Sequence, residues 1–469
     1  MANMDQRLML PKTRLLEFAV DDISGDDADD VTLDGTGADK GFFMGPAYTT
    51  MTDAEGVKHA IASYSAGFKK TGEGTLHVKQ KLYLTSECSP GNNGWGSRGL
   101  IGIDGDIRVE EGTLHLDNAD NSITGRIEVA GGLLKFYGNY SWSNRAKAGL
   151  GSLLVDREIV ISGTGVLNVG RNQFGEASAY EGNDVPDKAW VIARNGGRIQ
   201  AGDTGNWGNL WLDGGTLDYS GDGEWPHGYG GFLGTVKFSG STPYEFNTDG
   251  TKALNCQQFH VNNNSKSTFD VSDITGDARP DVTFIVPLAR NGHQLDNVWT
   301  RAQNVGFRKT GTGTMRCEFY TAQLGAGGME SLDGTVSVEE GTLEIVSGLN
   351  STTMAVSANA FVSGTGTIKG LTLADGAGFV VKPGQAKHLS VSGAATIAGA
   401  GIVDILAEDV DEDDVLKVAV VDFNGTVSGT ENLSAWKVLL NGEEIDGKVY
   451  LSGKTLMVKR NCGLTLIFR

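Results

Sequence analysis

The chain has 469 residues with 68 glycines but only 9 prolines, so the glycine excess marks recurrent sharp turns rather than disorder. Lysine and arginine number 39 against 58 acidic residues, and the formal charge of −19 opposes phosphate backbones and anionic lipid surfaces as partners. No apolar run is long enough to insert in a bilayer as a helix, and Cys88, Cys256, Cys317 and Cys462 lie too far apart to signal a zinc cluster or a disulfide framework.

At the N-terminus Pro11, Lys12 and Arg14 break the apolar pattern of Met1 to Val20, so no export leader is expected there. Leu15 to Leu33 is expected to start the first coils of an array. Within it, Asp21 to Asp30 is dense in charge without ligand spacing and predicts a solvated loop. Val57, Ala60, Ile61 and Tyr64 fall at helical spacing and predict one short helix.

From there the chain repeats itself. Phe68-Lys-Lys-Thr-Gly-Glu-Gly-Thr-Leu-His-Val78 matches Phe307-Arg-Lys-Thr-Gly-Thr-Gly-Thr-Met-Arg-Cys317. Gly105-Asp-Ile-Arg-Val-Glu-Glu-Gly-Thr-Leu-His-Leu116 matches Gly334-Thr-Val-Ser-Val-Glu-Glu-Gly-Thr-Leu-Glu-Ile345 at seven positions. Weaker echoes run at Gly125 to Phe136, Gly163 to Val169, Leu210 to Tyr219 and Gly364 to Leu373. In each, apolar and polar residues alternate around a glycine corner, which is the period of short strands. Such a unit buries its apolar edge only by stacking on like units, so the pattern predicts an all-β fold, a parallel β-helix or β-solenoid with capped ends. Its parts are an N-terminal cap with the first coils over 1–66, the β-helix over 67–400 with clear copies at 68–136 and 307–373, and a small C-terminal β unit over 401–469. In that last unit, Val415 to Phe423, Trp436 to Leu440, Val449 to Val458 and Leu464 to Phe468 read as strands, and Asn441-Gly442 as a hairpin turn.

These phrases resemble the autotransporter passenger-associated β-strand repeat. Lys70, Gly72, Gly74 and Leu76 fit its opening, and Asn121, Thr124 and Gly125 fit its continuation, with Val129, Gly132 and Leu133 a looser match. Lys309, Gly311 and Gly313 open a second copy, with Met315 in place of leucine. The resemblance implies a right-handed β-helix shown on, or released from, a bacterial surface. The segment after Ala400 is too short for that family's translocator barrel, so the chain is expected to resemble the secreted members that lack one.

Candidate chemistry is sparse. His77 and His115 both follow Gly-Thr-Leu and invite a metal-binding pair, but alternation turns them away from Leu76 and Val78, so they are expected at the surface. Glu110, Glu111, Glu339 and Glu340 recur beside corner glycines and read as turn residues rather than an acid–base pair. Asp409, Asp411 and Asp413 lack the glycine and glutamate of a calcium loop. Asp273, Asp277 and Asp281, with Thr275, keep the oxygen order of a calcium site, against the simpler reading of a turn before a strand at Val282 to Val286.

The most site-like stretch spans 190–232, where Trp190, Trp207, Trp211, Tyr219, Trp225 and Tyr229 gather with Phe232 among acidic and amide residues such as Asp203, Asp213, Asp222 and Glu224. Aromatic faces beside polar groups suit sugar rings, and loops packed on a solenoid flank are the plainer account. No nucleophile elbow, zinc-protease motif, phosphate loop or dinucleotide fingerprint occurs in its required context. The expectation is a non-enzymatic extracellular or cell-surface solenoid, an adhesin, stalk or matrix component that binds glycans or itself, without cofactor unless calcium. Its rivals are a carbohydrate-active β-helix enzyme and a phage or viral fibre.

Overall fold

A computed structural model describes residues 8–10, 15–26, 28–33, 41–44, 49–52, 58–61, 67–79, 81–84, 106–117, 122–123, 125–136, 156–169, 188–201, 206–218, 228–232, 234–246, 256–261, 267–286, 288–290, 292–295, 298–301, 304–318, 332–407 and 417–460. Strands make up almost all of its regular structure, and among the described residues no helix is long and apolar enough to cross a membrane. Two compact units emerge, 1–234 with 250–256, and 235–249 with 257–469.

In the first unit the chain feeds two parallel sheets alternately. Leu15–Ala19, Gly67–Thr71, Ile107–Val109, Ile127–Val129, Glu158–Ser162, Trp190–Arg194 and Asn209–Asp213 stack in one. Val31–Leu33, Thr75–Val78, Thr113–Leu116, Leu133–Phe136, Val166–Asn168, Arg198–Gln200 and Thr216–Asp218 stack in the other. A third, shorter parallel sheet joins Leu8–Leu10, Gly41–Met44, Lys81–Leu84 and Ser122–Ile123.

The register explains the leucines of the repeat. Leu76, Leu114, Leu134, Leu167, Ile199 and Leu217 lie on one inward row, each aligned with the next strand's equivalent and each buried. Because each strand's apolar edge is covered by the strands before and after it, no single repeat holds a core alone. Full burial of one such leucine is worth roughly 1.5–3 kcal/mol.

The second unit repeats this plan. Thr235–Ser239, Ser267–Val271, Phe307–Thr310, Thr335–Val338, Leu349–Val356 and Thr367–Leu373 form one parallel ladder. Tyr244–Phe246, Val282–Phe284, Thr314–Cys317, Gly341–Ile345, Ala360–Gly364, Gly378–Val381, Ile402–Ile405 and Lys437–Leu440 form the other. Near its end the pairing turns antiparallel: Lys437–Leu440 with Glu443–Ile445, and Thr455–Arg460 with both Lys417–Phe423 and Gly447–Ser452. Antiparallel hairpins occupy the edges that another parallel strand would otherwise extend. The hairpin at Asn441-Gly442 is present, with φ of 51° and 85° as a type I′ turn requires.

Two local expectations are corrected. Lys58–Ile61 is a strand paired antiparallel with Thr49–Thr52, not a helix; its threonine-rich partner supplies the β-branched side chains that favour pairing over helical spacing. Val449 to Val458 is not one strand but a hairpin, turned at Gly453 with φ of 63°. Val57, Tyr64, Asp409, Asp411, Asp413, Asn121, Thr124 and the strand expected at Leu464 to Phe468 lie outside the described residues.

Candidate functional site

The corners carry the first polar cluster. Lys70 and Lys309 are wholly buried, and each ammonium caps carbonyls of its own corner and of the corresponding corner later in the chain. Lys70 Nζ donates to the carbonyls of Thr71 at 2.9 Å, Gly72 at 2.6 Å and Glu111 at 3.3 Å. Lys309 Nζ donates to those of Thr310, Gly311 and Glu340. Burial pushes the Lys309 ammonium down to about 8, against the opposing pull of Glu340, Asp281 and Asp270, and lowers Lys70 in the same direction. The neighbouring glycines are obligatory: Gly112 and Gly341 have φ of 60° and 64°, and a Cβ there would sit within 2.6 Å of carbonyls in the preceding corner.

The paired glutamates belong to the same corners. Glu111 Oε2 accepts from the Gly72 N–H at 3.1 Å, and Glu339 takes a two-pronged ion pair from Arg308. Their role is to bind the turn.

Two aspartate loops then prove to be one motif. Val20-Asp-Asp-Ile-Ser-Gly-Asp-Asp-Ala-Asp-Asp-Val-Thr-Leu33 aligns with Val271-Ser-Asp-Ile-Thr-Gly-Asp-Ala-Arg-Pro-Asp-Val-Thr-Phe284, identical at eight positions, a repeat that the sequence displays but that charge density alone obscured. In the first loop the Asp30 carboxylate accepts from the N–H groups of Thr75 at 2.7 Å and of Ser24 and Ile23 at 2.9 Å. Those N–H groups, led by Thr75 and then Ser24, hold its pKa down at about 2. In the second loop Asp281 accepts from Thr314 at 2.6 Å, Ile274 at 2.6 Å and Thr275 at 2.8 Å.

The solvated loop expected at Asp21 to Asp30 is exposed over Asp21 to Asp26 and at Ala28, but its last aspartate is buried and clamps the strand that starts at Thr75. Among the calcium candidates, Asp273 accepts from Gly276 N–H, Asp277 is paired with Arg279, and Asp281 is 1% exposed on its three backbone donors.

The histidines also depart from expectation. Alternation does turn His77 and His115 away from the leucine row, but His77 is only 7% exposed rather than solvated. The loop ending in Asp30 brings Asp29 over it, with Asp29 Oδ2 2.6 Å from His77 Nδ1. His115, on the adjacent strand and in register, stacks on His77 with ring centroids 4.1 Å apart and planes 16° apart. His77 Nε2 faces Asp117 Oδ2 at 3.5 Å. Burial, and then the neighbouring His77, pushes His115 down to about 4, so its imidazole is neutral near pH 7. Sequence alternation supplied the side of the sheet; it could not supply the loop that covers it.

The aromatic stretch divides. Trp207 has none of its surface exposed and aligns with the equally buried Phe232, so it serves the core and offers no face to a ligand. Trp190 and Trp211 stand half-buried on the outward side of Trp190–Arg194 and Asn209–Asp213. Trp211 continues an outward row with Val160 and Ile192, both buried although they face away from the interior. Tyr219 and Trp225, with Asp203, Asp222 and Glu224, lie outside the described residues, and of Tyr229 only the backbone is described. Cys317 is a buried free thiol whose pKa burial raises, Cys88 and Cys462 lie outside the described residues, and Cys256 is described by backbone alone.

No family model matches the chain, and no curated protein or solved structure matches it either.

Proposed function

We propose that the chain is a right-handed parallel β-helix that acts outside the cell, on or released from a bacterial surface, as a stalk, adhesin or matrix component rather than as an enzyme. The observation that carries this reading is the alternate feeding of two parallel ladders in each unit, with a lysine-capped glycine corner in both copies of the repeat. A fold of this kind spends its sequence on stacking and leaves outward positions free to vary, which suits display and spacing more than chemistry. The resemblance to passenger repeats points the same way.

A glycan-binding role for the flank rests on Trp190 and Trp211, whose half-buried rings share the outward side of neighbouring strands. Indole faces stack on the C–H faces of sugars.

The test is to present the isolated chain to a glycan array and to a polysaccharide panel, with its mass in solution measured alongside. Glycan binding or self-association without turnover, with binding lost in Trp190→Ala or Trp211→Ala if a glycan is the ligand, is the expected outcome. Release of reducing sugar would overturn the reading in favour of a carbohydrate-active enzyme, and an obligate trimer would favour a fibre.

A further inference from the structure

We propose that Asp29, His77 and His115 form a binding site for a divalent transition-metal ion that pins three successive strands of one sheet together.

The three residues arrive from three passes of the chain. Asp29 closes the loop before Val31–Leu33, while His77 and His115 sit at matching positions of the next two strands in register. One carboxylate oxygen and one nitrogen from each imidazole lie within 4.8 Å of one another. Ligand atoms around a tetrahedral zinc at about 2.0–2.1 Å stand roughly 3.4 Å apart, so small side-chain rotations close the set. Two imidazoles and a carboxylate suit zinc and its first-row neighbours, whereas calcium and magnesium want oxygen alone.

A second observation points to a ligand independently. His77 Nε2 is buried and makes no hydrogen bond, Asp117 Oδ2 standing off at 3.5 Å, and the side chain is only 9% exposed. Asp29 and Asp117, with side chains 30% and 41% exposed, give the site an open edge through which an ion and a completing water enter. Lys135 follows His115 along the row, and the two carboxylates offset its charge.

The second copy of the repeat supplies an internal contrast. There Pro280, Arg316 and Glu344 stand at the places of Asp29, His77 and His115, and Arg316 pairs with Glu344 at 3.1 Å. The loop and corner persist while the ligand set is replaced by an ion pair.

The untagged full chain, stripped with chelator, is titrated with Zn2+ by calorimetry and with Co2+ by visible spectroscopy near neutral pH. One equivalent bound, with Co2+ d–d bands and a raised thermal midpoint at saturating Zn2+, is expected. His115→Gln and Asp29→Asn, checked for an unchanged circular dichroism spectrum, are each expected to weaken binding by about tenfold or more and to abolish the thermal shift. Arg316→Gln in the other copy is expected to leave both unchanged. Absence of binding would overturn the proposal and leave His77 as a buried ring between Asp29 and Asp117. Equal binding by wild type, His115→Gln and Asp29→Asn would also overturn it, placing the ion at one of the other histidines.

Discussion

The two copies of the repeat have like interiors and differ on their outer faces. Both carry a Phe pair in edge-to-face contact, Phe18 with Phe68 at 5.7 Å and Phe269 with Phe307 at 5.3 Å. Both have a buried corner lysine and a loop aspartate that accepts three backbone N–H groups. On the outward row the first copy runs Thr32, His77, His115 and the second runs Thr283, Arg316, Glu344. Stacking fixes what points inward, and a corner fixes its own caps. The outward row is bound by neither, so it is where one repeat acquires chemistry that the other lacks.

If the interiors are equivalent, matched cavities should cost alike. Leu114 and Leu343 occupy the same place after Gly-Thr, and both are fully buried with strands on either side. Leu114→Ala and Leu343→Ala are each expected to lose about 2–5 kcal/mol in denaturant unfolding, without a change in secondary structure. A large loss in one and none in the other would break the equivalence at its strongest point.

The corner lysine sharpens the comparison through pH. Unfolded, Lys309 keeps its proton to about 10.5, whereas folded it releases it near 8. Between those values the unfolded chain binds more protons, so stability rises with pH relative to a variant that cannot titrate there. Wild type is expected to gain up to about 3 kcal/mol on Lys309→Met as pH climbs through that window. Lys70, shifted in the same direction, is expected to show the same sign against Lys70→Met. A stability difference that stays flat with pH would mean that the ammonium is not buried.

How far the sequence foretold this structure follows from which forces are local. The leucine row, the glycine corners, the Asn441-Gly442 turn and the parallel stacking were legible because alternation and positive φ leave direct marks on residue type. The Lys58–Ile61 strand was misread because four apolar residues at helical spacing say nothing about a threonine-rich partner upstream. The burial of His77 was illegible for a related reason: the cover comes from Asp29, far back in the chain, and only the structure brings the two together. The aspartate loop itself was legible as a repeat, but its charge density suggested solvation where three backbone donors in fact converge on one carboxylate.

The smallest effect concerns the two outward pairs themselves. Arg316 and Glu344 form an ion pair with side chains 28% and 13% exposed, and Glu318 competes for the same guanidinium at 2.9 Å. A double-mutant cycle on Arg316→Ala and Glu344→Ala is expected to give a coupling of about 0.2–1 kcal/mol that shrinks as salt is added. His77 and His115 interact by stacking, with His115 neutral near pH 7, so the cycle on His77→Ala and His115→Ala in chelator is expected to give roughly 0.5–1.5 kcal/mol with little response to salt. A salt-sensitive coupling in one copy and a salt-insensitive one in the other would show that the repeat tolerates either chemistry on its outer face. A salt-sensitive histidine coupling would instead mean that the first copy, too, is held there by charge.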